Sequence, residues 1–482
     1  MSGPEVSRKC FSALRKEAPC GAATNHSAAI VLLLGLLCFS GCSTTTRVLA
    51  YDNTVQVAKR PVTGTAHFGW RVKTFWREEG VSAWRRYVSF PFLSMRRVPA
   101  VDASGETMAH DELADWLNKK TGAPSTGSVQ LLLNGEAFFP HFAESIRTAT
   151  NRIDLKAYIF DNDDVAVQVA DLLKARSAEV DIRIIYDSAG SRLAWKTDAG
   201  SLPKNCVCGV DDMIDYLGEG STMKLRRSNH TLLSSEHSKY YLIDDRIAYF
   251  GGMNIGREYR YDWRDAMFAL TGPVVDALAC RFDAAWILAK GDTLTALMLP
   301  NCKLSAAADG NCDLYVIGTT PFSHDLYKGQ LRAIKKAKKR IYIENPYLWN
   351  QPILYQLCAA RKRGVDVRVT IPNNVNHSIG SSANKKTINR LLKHGVRVYL
   401  YPGMTHVKAA VYDDWACFGS ANFDDLSMHK NYELNLFTDN SDVVRQVRED
   451  LLENGQTLSK EIFDVEDLSL IDHVNARIAQ YL

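Results

Sequence analysis

The sequence predicts an α/β protein built from two similar repeats, each a mixed sheet flanked by helices, related by pseudo-twofold symmetry with the functional site at their interface. Three observations lead to this prediction: a duplicated order of helices and strands, a duplicated H-x-K-x(4)-D motif, and a hairpin pattern after each motif. Two unrelated stretches would not be expected to repeat both the element order and the motif that follows it.

Each repeat begins with an amphipathic helix that leads into an apolar strand. In the first repeat this is SIRTATNRIDLKAYIF over 145–160, followed by a helical pattern over 165–175 and the strand VDIRIIYD. The second repeat has AIKKAKKRIYIENPYL over 333–348, a helical pattern over 353–363 and the strand VDVRVTI. Because buried strands alternate with helices, these units are predicted to contribute largely parallel strands.

Changes in composition divide the chain into four predicted segments. Gly, Pro, Ser and Thr cluster in 120–127, and a polar stretch containing Gly and Ala spans 303–310. The predicted segments are a leader over 1–41, a membrane-proximal segment over 42–125, and repeat domains over 126–300 and 301–482.

Length and charge exclude some classes of protein. A chain of 482 residues exceeds the usual size of one domain. Its formal net charge of +4 is too small for a dedicated nucleic-acid binder, so we expect no nucleic-acid partner. The two repeats are expected to form an internal pseudo-dimer within a monomer.

The N-terminus has the composition of a secretory signal. Basic residues over 8–16 precede a short apolar run over 28–39, which small residues then follow up to Cys42. This ending is typical of a bacterial lipobox, in which Cys42 becomes the lipidated first residue of the mature protein. An uncleaved N-terminal anchor is the alternative, and both place the protein at a membrane of the bacterial cell envelope.

A second segment, over 70–97, mixes aromatic with basic residues. This mixture suits a bilayer interface containing anionic lipid. It suits an aromatic core with snorkelling arginines equally well, and the sequence leaves both open.

The two motifs supply the candidate catalytic groups. Residues two apart on a strand point to the same face, so the histidine and lysine of each motif are expected to project together. The motif residues are His237, Lys239 and Asp244 in the first copy and His406, Lys408 and Asp413 in the second.

Strand patterns after each motif predict a hairpin that ends at an asparagine. The strands are predicted over 240–243 and 247–250 in the first copy, and over 409–412 and 416–418 in the second. Asn254 and Asn422 then follow at the hairpin ends, where each can add an amide donor.

Together, the two copies would form a phosphate site with two imidazoles, two ammonium groups and two carboxamides. The lysines and asparagines would stabilise the charge on the equatorial oxygens in the transition state. One imidazole must be neutral to attack phosphorus, and the other must be protonated to release the alkoxide. Because the lysines supply the positive charge, and no His, Asp and Glu cluster has metal-ligand spacing, we expect neither a metal nor a cofactor.

These motifs resemble those of the phospholipase D superfamily, and the likeness extends from about residue 129 to the C-terminus. Within that superfamily the chain is similar to the bacterial cardiolipin synthases. The segments that carry this likeness are YDSAGS at 186–191, GGMNIGREY at 251–259, WRD at 263–265, GSANFD at 419–424 and NYELN at 431–435.

The resemblance implies a role for each candidate residue. His237 would be the nucleophile and His406 the acid, an assignment that rests on analogy and that the near-symmetry leaves open to reversal. The other implied roles are phosphate binding by Lys239, Lys408, Asn254, Asn422 and Ser420, support of the site by Asp244 and Asp413, and orientation of the histidines by Glu433 and Asp265.

Two positions depart from the family pattern. Gly252 stands where the second copy has Ser420, so one hydroxyl contact to phosphate is expected to be missing. Asn345 replaces the small hydroxylated residue that the pattern leads us to expect. Neither change removes a catalytic group.

Three functions are compatible with these residues. The first is a phosphatidyltransferase that forms cardiolipin from phosphatidylglycerol, with phosphatidylethanolamine as a further candidate substrate. The second is a hydrolase of phospholipid or nucleic acid that uses water as the acceptor, and the third is an inactive scaffold. Intact motifs argue against the scaffold, and the resemblance favours the transferase over the hydrolase.

Overall fold

A computed structural model describes residues 89–102, 105–187, 190, 209–228, 234–289, 312–375 and 378–479. Cys42, the leader, residues 70–88 and the predicted domain boundary at 300/301 lie outside the described residues. None of the helices in the described ranges is long and apolar enough to cross a membrane.

The first half of the chain alternates helices with strands and then continues through a hairpin. Its elements are α1 (Phe90–Ser94), α2 (Asp111–Thr121), β1 (Ser125–Leu133), α3 (Gly135–Thr148), β2 (Arg152–Ala157), α4 (Asp164–Arg176), β3 (Asp181–Asp187), α5 (Met213–Gly218), β4 (Lys224–Ser228), β5 (Lys239–Ile243), β6 (Ile247–Gly251), a π-helical turn (Glu258–Asp262), β7 (Ala266–Thr271) and α6 (Val274–Ala289).

The second half repeats this order and adds elements at its end. Its elements are β8 (Cys312–Thr319), α7 (Asp325–Lys336), β9 (Arg340–Glu344), α8 (Gln351–Lys362), β10 (Asp366–Pro372), α9 (Ser378–Lys393), β11 (Arg397–Tyr401), β12 (Ala409–Tyr412), β13 (Trp415–Gly419), α10 (Asp425–His429), β14 (Glu433–Thr438), α11 (Ser441–Arg445), a π-helical segment (Gln446–Glu453), α12 (Asn454–Thr457), β15 (Lys460–Ile462) and α13 (Leu470–Ala479).

The two predicted central helices begin at capping side chains. The carboxylate of Asp163 accepts a hydrogen bond from Ala166 N at 2.9 Å and begins α4. The amide oxygen of Asn350 accepts one from Ile353 N at 3.1 Å and begins α8. Each cap satisfies an amide that has no partner inside the first turn, which explains where these helices start.

A single sheet of 15 strands contains both halves, in the order β15-β11-β10-β9-β12-β13-β14-β8-β1-β7-β6-β5-β2-β3-β4. Strands β11 to β8 mirror strands β4 to β1 across the antiparallel pairing of β1 with β8. The described strands therefore form two equivalent mixed sheets joined edge to edge, as the repeats predict.

The expectation of largely parallel strands is correct for only part of each half. Strands β2, β3 and β4 pair in parallel, as do β9, β10 and β11. The remaining neighbours in each half are antiparallel because the chain continues through the hairpins β5–β6 and β12–β13. The alternation of helices and strands, from which parallel pairing was predicted, ends before these later strands.

The hydrophobic core has outer layers that belong to each half and a middle layer that both share. The middle layer contains buried side chains of α6 and of the π-helical segment over 446–453, together with strand residues of both halves. Phe268 of the first half stacks on Phe418 of the second, with ring centroids 3.9 Å apart. Burial at this layer removes apolar surface from both halves, so each half stabilises the other.

Helix α1 contains the described end of the aromatic and basic segment. Phe90 is buried beside Tyr355 and His394, whereas Phe92 is 71% exposed. The described part of this segment thus contributes one aromatic side chain to the core and one to the surface.

The sequence also left open a disulfide between Cys302 and Cys312. In the structure Cys312 is a free, buried thiol whose Sγ lies 3.1 Å from Thr438 Oγ1. The sequence is equally compatible with buried free thiols, and at Cys312 the structure agrees with that alternative, while Cys302 lies outside the described residues.

Candidate active site

The two catalytic segments lie side by side because the backbones of the two halves pair with each other. His237 N donates to Tyr432 O at 3.0 Å, and His406 N donates to Arg264 O at 2.7 Å. Tyr432 directly precedes Glu433, the first residue of β14, and Arg264 directly precedes Asp265, which lies just before β7. Each histidine therefore lies against the carboxylate-bearing strand of the opposite half.

The carboxylates consequently hold the histidines across the interface. Glu433 Oε1 lies 2.7 Å from His237 Nδ1, and Asp265 Oδ2 lies 2.7 Å from His406 Nδ1. We expected these carboxylates to orient the histidines, and the structure places each one on the histidine of the other half. A hydrogen bond at Nδ1 determines which tautomer Nε2 presents to a substrate.

Both motif lysines are buried beside the histidines. Lys239 Nζ donates to His237 O at 2.6 Å, and Lys408 Nζ donates to His406 O at 2.7 Å. Burial lowers the pKa of Lys239 to about 8 and that of Lys408 to about 7, although the charge of Asp265 opposes the shift at both. Because Lys239 and Lys408 also repel each other, the two motifs form one cationic centre.

The two imidazoles share this buried, positively charged environment. Burial lowers the pKa of His237 from its ordinary 6.5, and Lys239 adds to this effect while Glu433 opposes it. The pKa of His406 lies well below 6.5 because of burial and the charges of Lys408 and Lys239. Both free imidazoles are therefore favoured as neutral groups near pH 7 in the absence of a bound anion.

The two orienting carboxylates differ in proton affinity. Burial raises the pKa of Asp265 to about 7, and Lys408 and the amide of Ala266 only partly offset this. Burial acts in the same direction on Glu433, but His237 and Lys239 outweigh it, so the pKa of Glu433 is lowered. Near pH 7, Glu433 is ionised while Asp265 is close to half-protonated.

Aromatic side chains line both histidines. The ring centroid of Tyr158 lies 4.8 Å from that of His237, while Tyr259 and Trp263 lie 5.5 and 5.3 Å from His406. The sequence analysis did not single out these three residues. Tyr259 and Trp263 lie inside the segments that carry the family likeness, which is the signal that would have identified them.

Ser420 lies against Glu433. Its hydroxyl donates to Glu433 Oε2 at 2.6 Å and accepts from Leu434 N at 3.1 Å. Phosphate binding by Ser420 stays a prediction, and in this structure its hydroxyl proton is engaged in the hydrogen bond to Glu433. The residue supports the carboxylate that holds His237.

Gly252 occupies the equivalent place in the first half for a steric reason. A Cβ atom at this position would lie 2.5 Å from Asp265 Oδ1. The shorter aspartate lies closer to the chain than Glu433 does, so only glycine leaves enough room. Gly252 thus departs from the family pattern because the carboxylate beside it is an aspartate, Asp265, where the second half has Glu433.

The motif carboxylates Asp244 and Asp413 lie at the far tips of the hairpins, away from the histidines. Asp244 accepts hydrogen bonds from the backbone N–H groups of Thr150, Asn151 and Arg152 at 2.7–3.0 Å. Asp413 accepts from four backbone N–H groups, namely those of Met108, Lys338, Lys339 and Arg340. Grouping these residues with the catalytic side chains is therefore revised: they join each hairpin to the start of β2 or β9.

The two asparagines are held differently. Asn254 Oδ1 accepts from Ile159 N at 3.1 Å, and its Nδ2 donates to Tyr259 Oη at 2.7 Å. Asn422 is also buried, but its Oδ1 has no hydrogen-bond partner among the described residues. Phosphate binding by either amide stays a prediction.

The motif histidines and lysines of both halves meet in one buried, positively charged centre. The described ranges contain no group of three or more His, Cys, Asp or Glu residues that could hold a metal ion. Two buried ammonium groups between two imidazoles provide the arrangement that in-line displacement at phosphorus requires.

Comparisons with known proteins agree with this geometry. A family model described as "Cardiolipin synthase, PLD-like domain" matches residues 142–286 and 331–454. The chain is 31% identical over 342 residues to the major cardiolipin synthase of Bacillus subtilis, covering 67% of this chain and 69% of that protein. It is 30% identical to the cardiolipin synthase of Halalkalibacterium halodurans, of whose length it spans 62%.

A solved structure supports the fold. The phosphatidylserine synthase of Haemophilus influenzae superposes with a TM-score of 0.60, covering 77% of this chain and 97% of that one. The sequence identity is 13%, so this likeness concerns the fold alone.

Proposed function

This chain belongs to the cardiolipin synthase, PLD-like domain family, and we propose that it is a phosphatidyltransferase that forms cardiolipin through a covalent phosphohistidine. The observation that carries the proposal is the placement of the two histidines, each held at Nδ1 by a carboxylate of the opposite half and each beside a buried lysine. Both contacts measure 2.7 Å, yet Glu433 is the stronger acid and Asp265 the weaker one.

The difference between the two carboxylates supports His237 as the nucleophile. Ionised Glu433 accepts a hydrogen bond from Nδ1–H of His237, which leaves the lone pair on Nε2 free to attack phosphorus. Asp265 is largely protonated below its pKa of about 7. The protonated carboxyl can donate a hydrogen bond to His406 Nδ1, so that the imidazole proton of His406 is on Nε2. This supports His406 as the general acid.

In the first step, a bond forms between His237 Nε2 and phosphorus as the bond from phosphorus to the headgroup oxygen breaks. His406 gives its Nε2 proton to the departing alkoxide and takes a proton from Asp265 at Nδ1. Lys239 and Lys408 stabilise the negative charge on the equatorial oxygens.

In the second step, a hydroxyl of phosphatidylglycerol attacks the phosphohistidine. The new oxygen–phosphorus bond forms while the nitrogen–phosphorus bond breaks. The hydroxyl proton passes to Nε2 of His406, which returns its Nδ1 proton to Asp265. The product is cardiolipin, and His237 returns to its neutral form.

The substrates place the enzyme at a membrane. Phosphatidylglycerol, with phosphatidylethanolamine as an alternative donor, resides in the bilayer, and the predicted leader with Cys42 would attach the chain there as a lipoprotein. The internal pseudo-dimer already supplies both histidines, so a monomer is sufficient for turnover.

Mass spectrometry of lipid products tests the proposal directly. The full-length protein is incubated with vesicles of phosphatidylglycerol and phosphatidylethanolamine. Cardiolipin together with free glycerol or ethanolamine is expected, and the released alcohol identifies the donor. Phosphatidic acid alone would instead show a phospholipase D-type hydrolase, and unchanged lipids would direct the search to other phosphodiesters.

Two histidine variants separate the proposed roles. With a phosphatidyl ester of p-nitrophenol, whose leaving group needs no acid, His406→Ala is expected to accumulate a covalent adduct, whereas His237→Ala forms none. His473→Ala, which alters an exposed histidine on α13, serves as the control with unchanged turnover. An adduct on His406 in the wild-type enzyme would reverse the assignment.

A further inference from the structure

Asn254 and Asn422 occupy equivalent positions in the two repeats but differ in how firmly they are held. Each lies 11 residues before the orienting carboxylate of its half, Asp265 or Glu433. Asn254 is 1% exposed and uses both ends of its amide inside the protein. Asn422 is 5% exposed, and its Oδ1 lacks a partner among the described residues.

The difference at the amide oxygen originates at Asn345. In the first half, Ile159 N donates to Asn254 Oδ1. The equivalent amide in the second half, Tyr347 N, donates instead to Asn345 Oδ1 at 3.2 Å. The first half has Ala157 where the second has Asn345, and an alanine cannot compete for this amide proton.

The difference at the amide nitrogen originates five residues after each asparagine. Tyr259, whose hydroxyl accepts from Asn254 Nδ2, is replaced by Ser427 at the equivalent place. The shorter side chain provides no phenol for Asn422. Both contacts that hold Asn254 are therefore missing at Asn422.

Asn422 also lies beside the catalytic centre. Two residues before it, Ser420 donates to Glu433, which holds His237. In the other half, Asn254 reaches His406 through Tyr259, whose ring lies 5.5 Å from that histidine. By this equivalence Asn422 belongs to the His237 side of the centre.

A buried amide oxygen without a partner is costly, so it favours a ligand that supplies a hydrogen-bond donor. A phosphodiester anion offers only acceptors, so the phosphate group cannot satisfy Oδ1. A glycerol headgroup offers both kinds of group, since its hydroxyls donate while the adjoining phosphate oxygens accept. A carboxamide matches this pair of groups with its oxygen and its nitrogen.

We propose that Asn422 recognises a hydroxyl of the glycerol headgroup through Oδ1 and thereby selects polyol acceptors over simple alcohols. The inference rests on the proposed phosphatidyl transfer and names the residue that determines acceptor specificity within it. Asn254, whose amide is held by the protein, has no such role.

Partition between two acceptors tests this selection. The full-length enzyme receives phosphatidyl-p-nitrophenol with equal concentrations of 1-propanol and 1,2-propanediol, which differ by one hydroxyl. Both acceptors compete for the same intermediate, so the product ratio is independent of the overall rate. The product ratio is the amount of phosphatidyl-1,2-propanediol divided by that of phosphatidyl-1-propanol, and the wild-type enzyme is expected to favour the diol product. Asn422→Ala is expected to lower this ratio about threefold to tenfold, which is the range that the loss of one hydrogen bond provides.

Two further variants connect the effect to its structural cause. Asn254→Ala is the matched truncation at the held amide, and it is expected to leave the product ratio unchanged even where turnover falls. Asn345→Ala introduces the residue of the first half and frees Tyr347 N to satisfy Asn422 Oδ1. It is expected to lower the ratio as Asn422→Ala does.

The outcomes separate the two proposals. An unchanged product ratio in Asn422→Ala, with transfer to both alcohols intact, would overturn the role of Asn422 and leave the transferase standing. A wild-type enzyme that releases p-nitrophenol but makes only phosphatidic acid would overturn the transferase itself, and this inference with it.

Discussion

At the scale of single residues, the two halves of the site have the same geometry but different chemistry. Both histidines hold a carboxylate of the opposite half at 2.7 Å. Glu433 receives an additional hydrogen bond from Ser420, whereas Asp265 lies against Gly252, which offers none. A near-symmetric scaffold therefore provides one ionised and one weakly acidic carboxylate, which a reaction that needs both a base and an acid requires.

The pH dependence of transfer follows from these groups. Activity is expected to fall as pH decreases through the pKa of His237, which lies below 6.5, because protonation removes the nucleophile. It is expected to fall again as pH rises above about 7, where the His406–Asp265 pair loses its proton. Initial rates between pH 5 and 9 in buffers of constant ionic strength measure the profile.

The variant Asp265→Asn tests whether Asp265 causes the fall in activity on the alkaline side of this profile. Its amide cannot supply a proton to His406, so the limb near pH 7 should disappear and the maximal rate should drop on the order of 100-fold or more. A profile that keeps its alkaline limb in this variant would assign that limb to another group, such as Lys408.

The glycine at position 252 provides a second prediction at this scale. Gly252→Ala places a Cβ atom against Asp265, at 2.5 Å from Oδ1 in the present geometry, so the carboxylate must move away from His406. Turnover is expected to fall at least tenfold with little loss of stability, because misplacement of a catalytic group by a fraction of an ångström lowers the rate. Ser420→Gly is the matched change in the other half, and it removes only one hydrogen bond to Glu433.

At the scale of elements, the spacing that the two motifs share reflects hairpin construction as well as chemistry. The four residues between the lysine and the aspartate span β5 or β12, and the aspartate then begins the turn. Asp244 and Asp413 both adopt positive φ values, 55° and 53°, which aspartate tolerates better than most residues. From that turn each carboxylate reaches the backbone amides at the start of the neighbouring strand.

Stability measurements test this role of Asp244. Its pKa is lowered to about 2: burial raises it, but the hydrogen bonds from Arg152, Thr150 and Asn151 outweigh burial. A carboxylate with a depressed folded-state pKa contributes stability above its ordinary pKa of 3.8 and loses it as pH falls through about 2. Asp244→Asn is expected to lower the free energy of unfolding at pH 7 by roughly 2 kcal/mol, measured by urea denaturation.

The neighbouring aspartate provides a matched control for this prediction. Asp245 lies in the same turn, with φ of 54°, and its side chain is 38% exposed beside Arg152. Asp245→Asn is expected to change the free energy of unfolding by less than about 1 kcal/mol. Equal effects of the two substitutions would contradict the capping role of Asp244.

At the scale of the whole molecule, the two halves are joined by a continuous sheet, a shared core layer and buried polar contacts that include an ion pair. Arg264 of the first half lies 3.0 Å from Glu344 of the second, and their side chains are 1% and 0% exposed. The guanidinium also donates to Leu451 O at 2.6 Å, and Glu344 accepts from Thr405, which precedes His406. This ion pair therefore lies directly beneath the second histidine.

Breaking the ion pair should destabilise the protein strongly. Arg264→Met leaves Glu344 buried without its counter-charge and is expected to cost about 3–5 kcal/mol in urea denaturation. The double variant Arg264→Met with Glu344→Leu should recover much of that loss, because no unpaired charge then remains. Arg246→Met, at a guanidinium that is 66% exposed beside Asp244, is the surface control.

Recovery of stability and recovery of activity should differ in the double variant. Stability depends on whether a charge stays buried, whereas activity depends on the position of His406. A double variant that is stable but transfers slowly would assign a positioning role to the ion pair. A double variant that remains as unstable as Arg264→Met would show that the packing of the arginine, and not its charge, stabilises the interface.

The sequence by itself determined the parts of this protein that depend on local order. The period of apolar residues predicted the strands and helices of each repeat, and the spacing within each motif placed His237 with Lys239 and His406 with Lys408. The duplicated pattern also predicted two equivalent sheets, because similar sequences form similar units.

Only the tertiary structure decided how the two halves are paired. Glu433 lies 196 residues from His237, and Asp265 lies 141 residues from His406, so no spacing rule relates them. The same holds for the hydrogen bond of Ser420 to Glu433 and for the backbone amides that donate to Asp413. It also holds for Asn422, whose Oδ1 has no hydrogen-bond partner among the described residues. Each of these results from the packing of one half on the other, which depends on the shapes of distant surfaces and not on the order of residues along the chain.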